Sequence, residues 1–104
     1  MSESEFNILY DQLERLKDLI KVYGGKYYRI QYGIIENILD CIKSDLSCDD
    51  KEEYIIRNYK KLYPANGGLS DFYIKHDNYE ERLKLNKPLD KINETIWGII
   101  KNYL

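Results

Sequence analysis

The sequence predicts an all-α single domain, a bundle of about four helices with a glycine-rich break before the last helix. Three observations carry this expectation. Apolar residues recur at helical spacing on both sides of one short interruption. The 104 residues suffice for one modest core and not for two. The interruption itself, LYPANGGLSDFYIKHD from Leu62 to Asp77, holds a proline, a Gly-Gly pair and the chain's one histidine.

The first helix is marked by Phe6, Leu9, Leu13, Leu16, Ile20 and Tyr23, spaced 3, 4, 3, 4, 3, with charged residues around the other side. Ser4 is the expected N-cap, and Gly24-Gly25 supplies a left-handed stop. A stripe this short reads as a core face rather than a coiled-coil seam, which needs more than about three heptads.

A second helix is expected from about Lys26 to Ser44. Tyr27, Ile30, Ile34, Ile38 and Cys41 form one row, and Tyr28, Tyr32, Ile35, Leu39 and Ile42 the next. Two adjacent rows make a wide apolar face that suits a central helix, with Cys41 as a small core residue. Gly33 inside it suggests close approach of another helix.

The third helix should run from Asp49 to Leu62. Asp49, Asp50, Glu52 and Glu53 open it and Arg57, Lys60 and Lys61 close it, both in the sense the helix dipole favours. Ile55, Ile56, Tyr59, Leu62 and Tyr63 supply its buried side, and Pro64 ends it.

The last segment, Asn78 to Tyr103, carries Leu85, Leu89, Ile92, Ile96, Ile99 and Tyr103, spaced 4, 3, 4, 3, 4. Pro88 falls inside that stripe, which keeps its phase. The expectation is a kinked helix, or two nearly collinear ones with Pro88 in the first turn of the second. Trp97 sits at the edge of the stripe and should be mostly buried.

Composition narrows function by exclusion. Sixteen basic and eighteen acidic residues give a net charge of −2, which offers no bulk attraction to nucleic acid or to an anionic membrane. No signal-peptide pattern and no apolar run of about 18 residues occurs, so the expected location is the cytoplasm. Cys41 and Cys48 are expected as reduced thiols, the first buried and the second exposed. Eleven tyrosines, with abundant Ile, Lys and Asn, fit AT-rich codons and a low-GC bacterium.

Chemical motifs fail one by one. His76-Asp77 resembles a metal pair of HD-type phosphohydrolases, but a single histidine cannot complete that site. Asp45, Ser47 and Asp49 match the start of a calcium loop, and Asp50 occupies the place of its glycine. Cys48 with His76 would be a nucleophile and base lacking an orienting group. Gly67-Gly68 follows a helix rather than a strand, so it reads as a connector before it reads as a phosphate loop. No catalytic residue, metal site or cofactor is expected.

The segment Tyr63 to Trp97, about a third of the chain, resembles a family of small bacterial proteins. The resemblance rests on Pro64, Gly67, Gly68, Leu69, Ser70, Asp71 and Phe72, then Leu85, Asn86, Pro88, Leu89, Asp90 and Trp97. It implies an immunity protein that binds and neutralises a cognate toxin in the cytoplasm, without catalysis and without assigned catalytic residues. On that reading Leu69 and Phe72 anchor the loop. Asn66, Gly67, Gly68, Asp71, Tyr73, His76, Asp77, Glu80 and Glu81 form the partner-binding face, displayed on a rigid scaffold. Asp71 has a local alternative, capping the turn after the glycines. A second acidic group, Asp49 to Glu53, reads first as dipole compensation. The alternative functions are a helical adaptor or regulator, including a phage-encoded inhibitor of host defence, and a small enzyme centred on His76.

Overall fold

The computed structural model describes residues 1–104 as four helices in up-down-up-down order: α1 Glu3–Tyr23, α2 Arg29–Lys43, α3 Cys48–Leu62 and α4 Tyr79–Ile100. Three short 3-10 turns, at Gly25–Tyr28, Gly68–Asp71 and Lys101–Tyr103, complete the regular structure, and no strand occurs. The all-α bundle with a glycine-rich break before its last helix is the architecture.

α1 begins two residues earlier than Ser4 suggests. Ser2 is the N-cap, its hydroxyl accepting from the Glu5 N–H while the Glu5 carboxylate accepts from the Ser2 N–H. This reciprocal box satisfies two of the donors that a helix start leaves unpaired. Phe6, Leu9, Leu13, Leu16 and Ile20 are buried, as their spacing requires, while Tyr23 at the end of the stripe is exposed.

α1 packs against both α2 and α4, and α2 against α3. One core joins Leu9, Leu13 and Leu16 with Ile35, Ile38 and Leu39 of α2, Ile55 and Leu62 of α3, and Leu89, Ile92 and Ile96 of α4. α3 meets α4 through aromatic side chains. Tyr59 stacks on Trp97, with ring centroids 6.4 Å apart, and the Tyr63 hydroxyl donates to the Asn93 side chain. Burial, then nearby Tyr59, pushes the Tyr63 hydroxyl's pKa up, which keeps it a donor.

Several expectations change here. The Lys26–Ser44 helix splits into a 3-10 turn and α2, and its apolar face is buried only in its second half. Tyr27 and Ile30 are 82% and 75% exposed, because they lie at the end of the bundle where no helix faces them. A side chain at Gly33 would meet nothing within 4 Å, so no helix approaches closely there. Trp97 is 47% exposed rather than mostly buried, with one face against Tyr59. α4 runs through Pro88 as one helix. Pro88 has no N–H to give the Lys84 carbonyl, a loss the packing of Leu89 and Ile92 outweighs.

The thiols lie as expected, Cys41 buried and Cys48 exposed, both free. Burial pushes the Cys41 thiol pKa up, against a smaller lowering by Lys51.

Candidate functional site

The segment after α3 is held by its own side chains. Gly67 and Gly68 both have positive φ, +79° and +61°. At Gly68 a Cβ would also lie 2.6 Å from Pro64 and 2.7 Å from the Leu62 carbonyl oxygen, so glycine is required there twice over. Beyond the 3-10 turn the chain is extended, and its side chains alternate. Phe72 and Ile74 are buried, while Tyr73 and Lys75 are exposed. Leu69 and Phe72 anchor the loop in the core, as the sequence suggests.

The anchor the sequence reading missed is Asn86 on α4. Its side-chain oxygen accepts from the Ile74 N–H at 2.8 Å, and its amide nitrogen donates to the Ile74 carbonyl at 2.8 Å. Asn86 thus pairs with one residue as a neighbouring strand would, and leaves no backbone group of buried Ile74 unmatched. The same nitrogen also donates to the Arg82 carbonyl, fixing the amide within its own helix.

This segment forms one wall of a cleft at the end of the bundle. The other wall is the α1–α2 turn. Gly24 closes α1 by donating to the Ile20 carbonyl at 2.7 Å, and Gly25, with φ +59°, reverses the chain. Tyr28 then meets Phe72 edge-on, with centroids 5.0 Å apart. Between the walls lies a cleft of about 700 Å³ lined by Tyr23, Tyr27, Tyr28, Asp71, Tyr73 and Lys75 with the glycines and Phe72. Asp71 makes no ion pair and caps no turn. Burial first and the Asp71 charge second raise the pKa of the Tyr28 hydroxyl. Val22 and Ile30, next in sequence to the α1–α2 turn, are largely exposed.

Of the residues proposed from sequence, Asp71 and Tyr73 line the cleft. Asn66 is exposed, and Gly67 and Gly68 shape the turn without lining the cleft. His76, Asp77, Glu80 and Glu81 are exposed at the start of α4. There His76 Nδ1 accepts from the Asn78 N–H, and Asn78 caps the helix through the Glu81 N–H. Glu81 pairs with Lys84 at 3.7 Å. Tyr23, Tyr27 and Tyr28, expected on the apolar rows of the first two helices, line the cleft instead, together with Lys75. Their available signal was VYGGKYY, three tyrosines bracketing a helix stop.

No protein-family model, curated protein or solved structure matches this chain.

The fold also separates Cys48 from His76. Glu52, one turn after Cys48, pairs with the Met1 amine, and Tyr103 at the far end of α4 donates to Glu5. The start of α3 thus shares the N-terminal end of α1, whereas His76 precedes α4 at the other end of a molecule 46 Å long. No group of three or more His, Cys, Asp or Glu is placed to hold a metal ion, and no helix is long and apolar enough to cross a membrane.

Proposed function

We propose that this chain is a cytoplasmic immunity protein that occludes a cognate bacterial toxin through the aromatic cleft at the end of its bundle. The supporting observation is the cleft itself, where Tyr23, Tyr27 and Tyr73 stand exposed around the unpaired carboxylate of Asp71. Tyrosines are large, stiff and polar at the tip, and they concentrate binding energy at protein interfaces. Asp71 offers a partner lysine or arginine a carboxylate flanked by aromatic faces, a setting that favours both ion pairing and cation–π contact. The loop wall is held by the Asn86 side-chain amide and by buried anchors, so little ordering is left for binding to supply. Occlusion needs shape and charge only, and asks no chemistry of the chain.

The test is co-expression with the product of the adjacent toxin gene. The wild-type chain is expected to restore growth, and Asp71→Ala and Tyr73→Ala are expected to abolish protection while melting within a few degrees of wild type. Neutralising Asp49 and Asp50, at the other end, should leave protection intact. Full protection by both cleft variants would overturn the site assignment, and an adjacent product that is harmless alone would overturn the immunity reading.

A further inference from the structure

Charge is close to balanced over the whole chain, yet the charged residues lining one groove between α1 and α4 are all cations. Arg15 of α1 and Lys84, Lys87 and Lys91 of α4 surround a space of about 500 Å³ whose lining includes no Asp or Glu. Arg15 pairs with Asp11 at 3.2 Å and Lys84 with Glu81 at 3.7 Å, both in solvent. Lys87 and Lys91 have no carboxylate within ion-pair distance. They stand four residues apart on one helix, so neighbouring turns present both cations to the groove. Leu19, Pro88 and Ile92 add an apolar part to the lining, with Ile92 buried, Leu19 half-buried and Pro88 exposed.

We infer that this groove is a docking site for a short acidic segment of a partner protein, whose carboxylates meet Lys87 and Lys91 while an apolar side chain rests on Leu19 and Pro88. Charge complementarity selects an anion, and the apolar part of the lining selects a peptide. A phosphate backbone has no use for an apolar lining, and the groove has no aromatic ring on which a base could stack. From Lys84 to Thr95 the helix rises about 16 Å, room for roughly five extended residues or about three turns of helix. The site is separate from the aromatic cleft, sharing no lining residue with it, and does not depend on its function.

The test is fluorescence anisotropy with a labelled twelve-residue peptide of glutamates and leucines, designed with its glutamates along one helical face. Wild type is expected to bind it, and a Lys87→Glu/Lys91→Glu variant to lose about tenfold or more in affinity. Binding should weaken as salt rises from about 50 to roughly 300 mM. Lys60→Glu/Lys61→Glu, the same charge change on exposed positions of α3, should bind as wild type does. All four substituted lysines are exposed, and far-ultraviolet circular dichroism checks that each variant remains helical. No binding by wild type, or equal losses in both variants, overturns the inference. So does tighter binding of a single-stranded oligonucleotide that the Lys87→Glu/Lys91→Glu variant loses, which would make the groove a nucleic-acid site.

Discussion

Asn86→Ala removes the clamp on Ile74 and should be among the most damaging single truncations of a polar side chain in this molecule. The variant leaves the Ile74 N–H and C=O without partners at a residue 2% exposed. Each unpaired buried backbone group costs about 1–3 kcal/mol, and water entering the space left by the amide recovers part of that. The expected loss is therefore about 2–4 kcal/mol. Against a total of about 5–15 kcal/mol for a domain, this is a large fraction. It corresponds to a fall of about 15 °C in melting temperature for a chain of this size. Urea unfolding followed by circular dichroism measures the loss, and amide exchange at Ile74 locates it. Asn86→Asp sharpens the test, because its carboxylate still accepts from the Ile74 N–H but faces the Ile74 carbonyl with no proton. That variant should be destabilised at neutral pH and recover partly in acid, where the carboxyl can donate. A loss below about 0.5 kcal/mol for Asn86→Ala would refute the reasoning, since it would mean that Ile74 finds other partners.

Three further outcomes are expected. Gly68→Ala should cost about 2 kcal/mol or more, from positive φ together with collision against Pro64 and the Leu62 carbonyl, whereas Gly33→Ala, in open space on a helix, should stabilise by up to about 1 kcal/mol; paired chemical melts compare them. In the native protein one thiol should react promptly with an aromatic disulfide reagent and be identified as Cys48 by mass spectrometry, with Cys41 protected until unfolding. Glu5 has its pKa lowered, first by the Ser2 N–H and then by the Tyr103 hydroxyl, whose own pKa is pushed up to about 12. A lowered carboxyl pKa contributes stability above the ordinary glutamate range and loses it as pH falls through the folded value, so wild type should lose stability over Glu5→Gln as pH drops below about 4.5.

Periodicity made the helices legible, because a stripe of Leu and Ile at spacing 3 and 4 specifies a buried face whatever lies opposite. It also placed Cys41 in the core. It failed where the answer depends on the facing element. Tyr27 and Ile30 continue the α2 pattern in sequence, but α1 has already ended beside them, so the same residues that look like core become rim. Trp97 shows the same limit at the edge of α4. Asn86 was visible as a polar residue one place off a stripe, yet its partner lies twelve residues away on an extended segment with no periodic signature. That Asp71 and Tyr73 are displayed was legible because they follow a Gly-Gly turn in a short connector. The place of their tyrosine neighbours from residues 23 to 28 was not, since a turn that ends a helix gives no sign of what it will face.

The two walls of the aromatic cleft lie more than forty residues apart in the chain, and the second is held in place by a side chain from the final helix. A chain cut short before α4 would still possess every residue that lines the cleft, and would lack the amide that sets Ile74 and its neighbours in position. The cleft thus depends on α4. On the proposed reading, recognition through the cleft would report that α4 has docked, and a copy lacking that helix would be silent even with the cleft-lining residues intact.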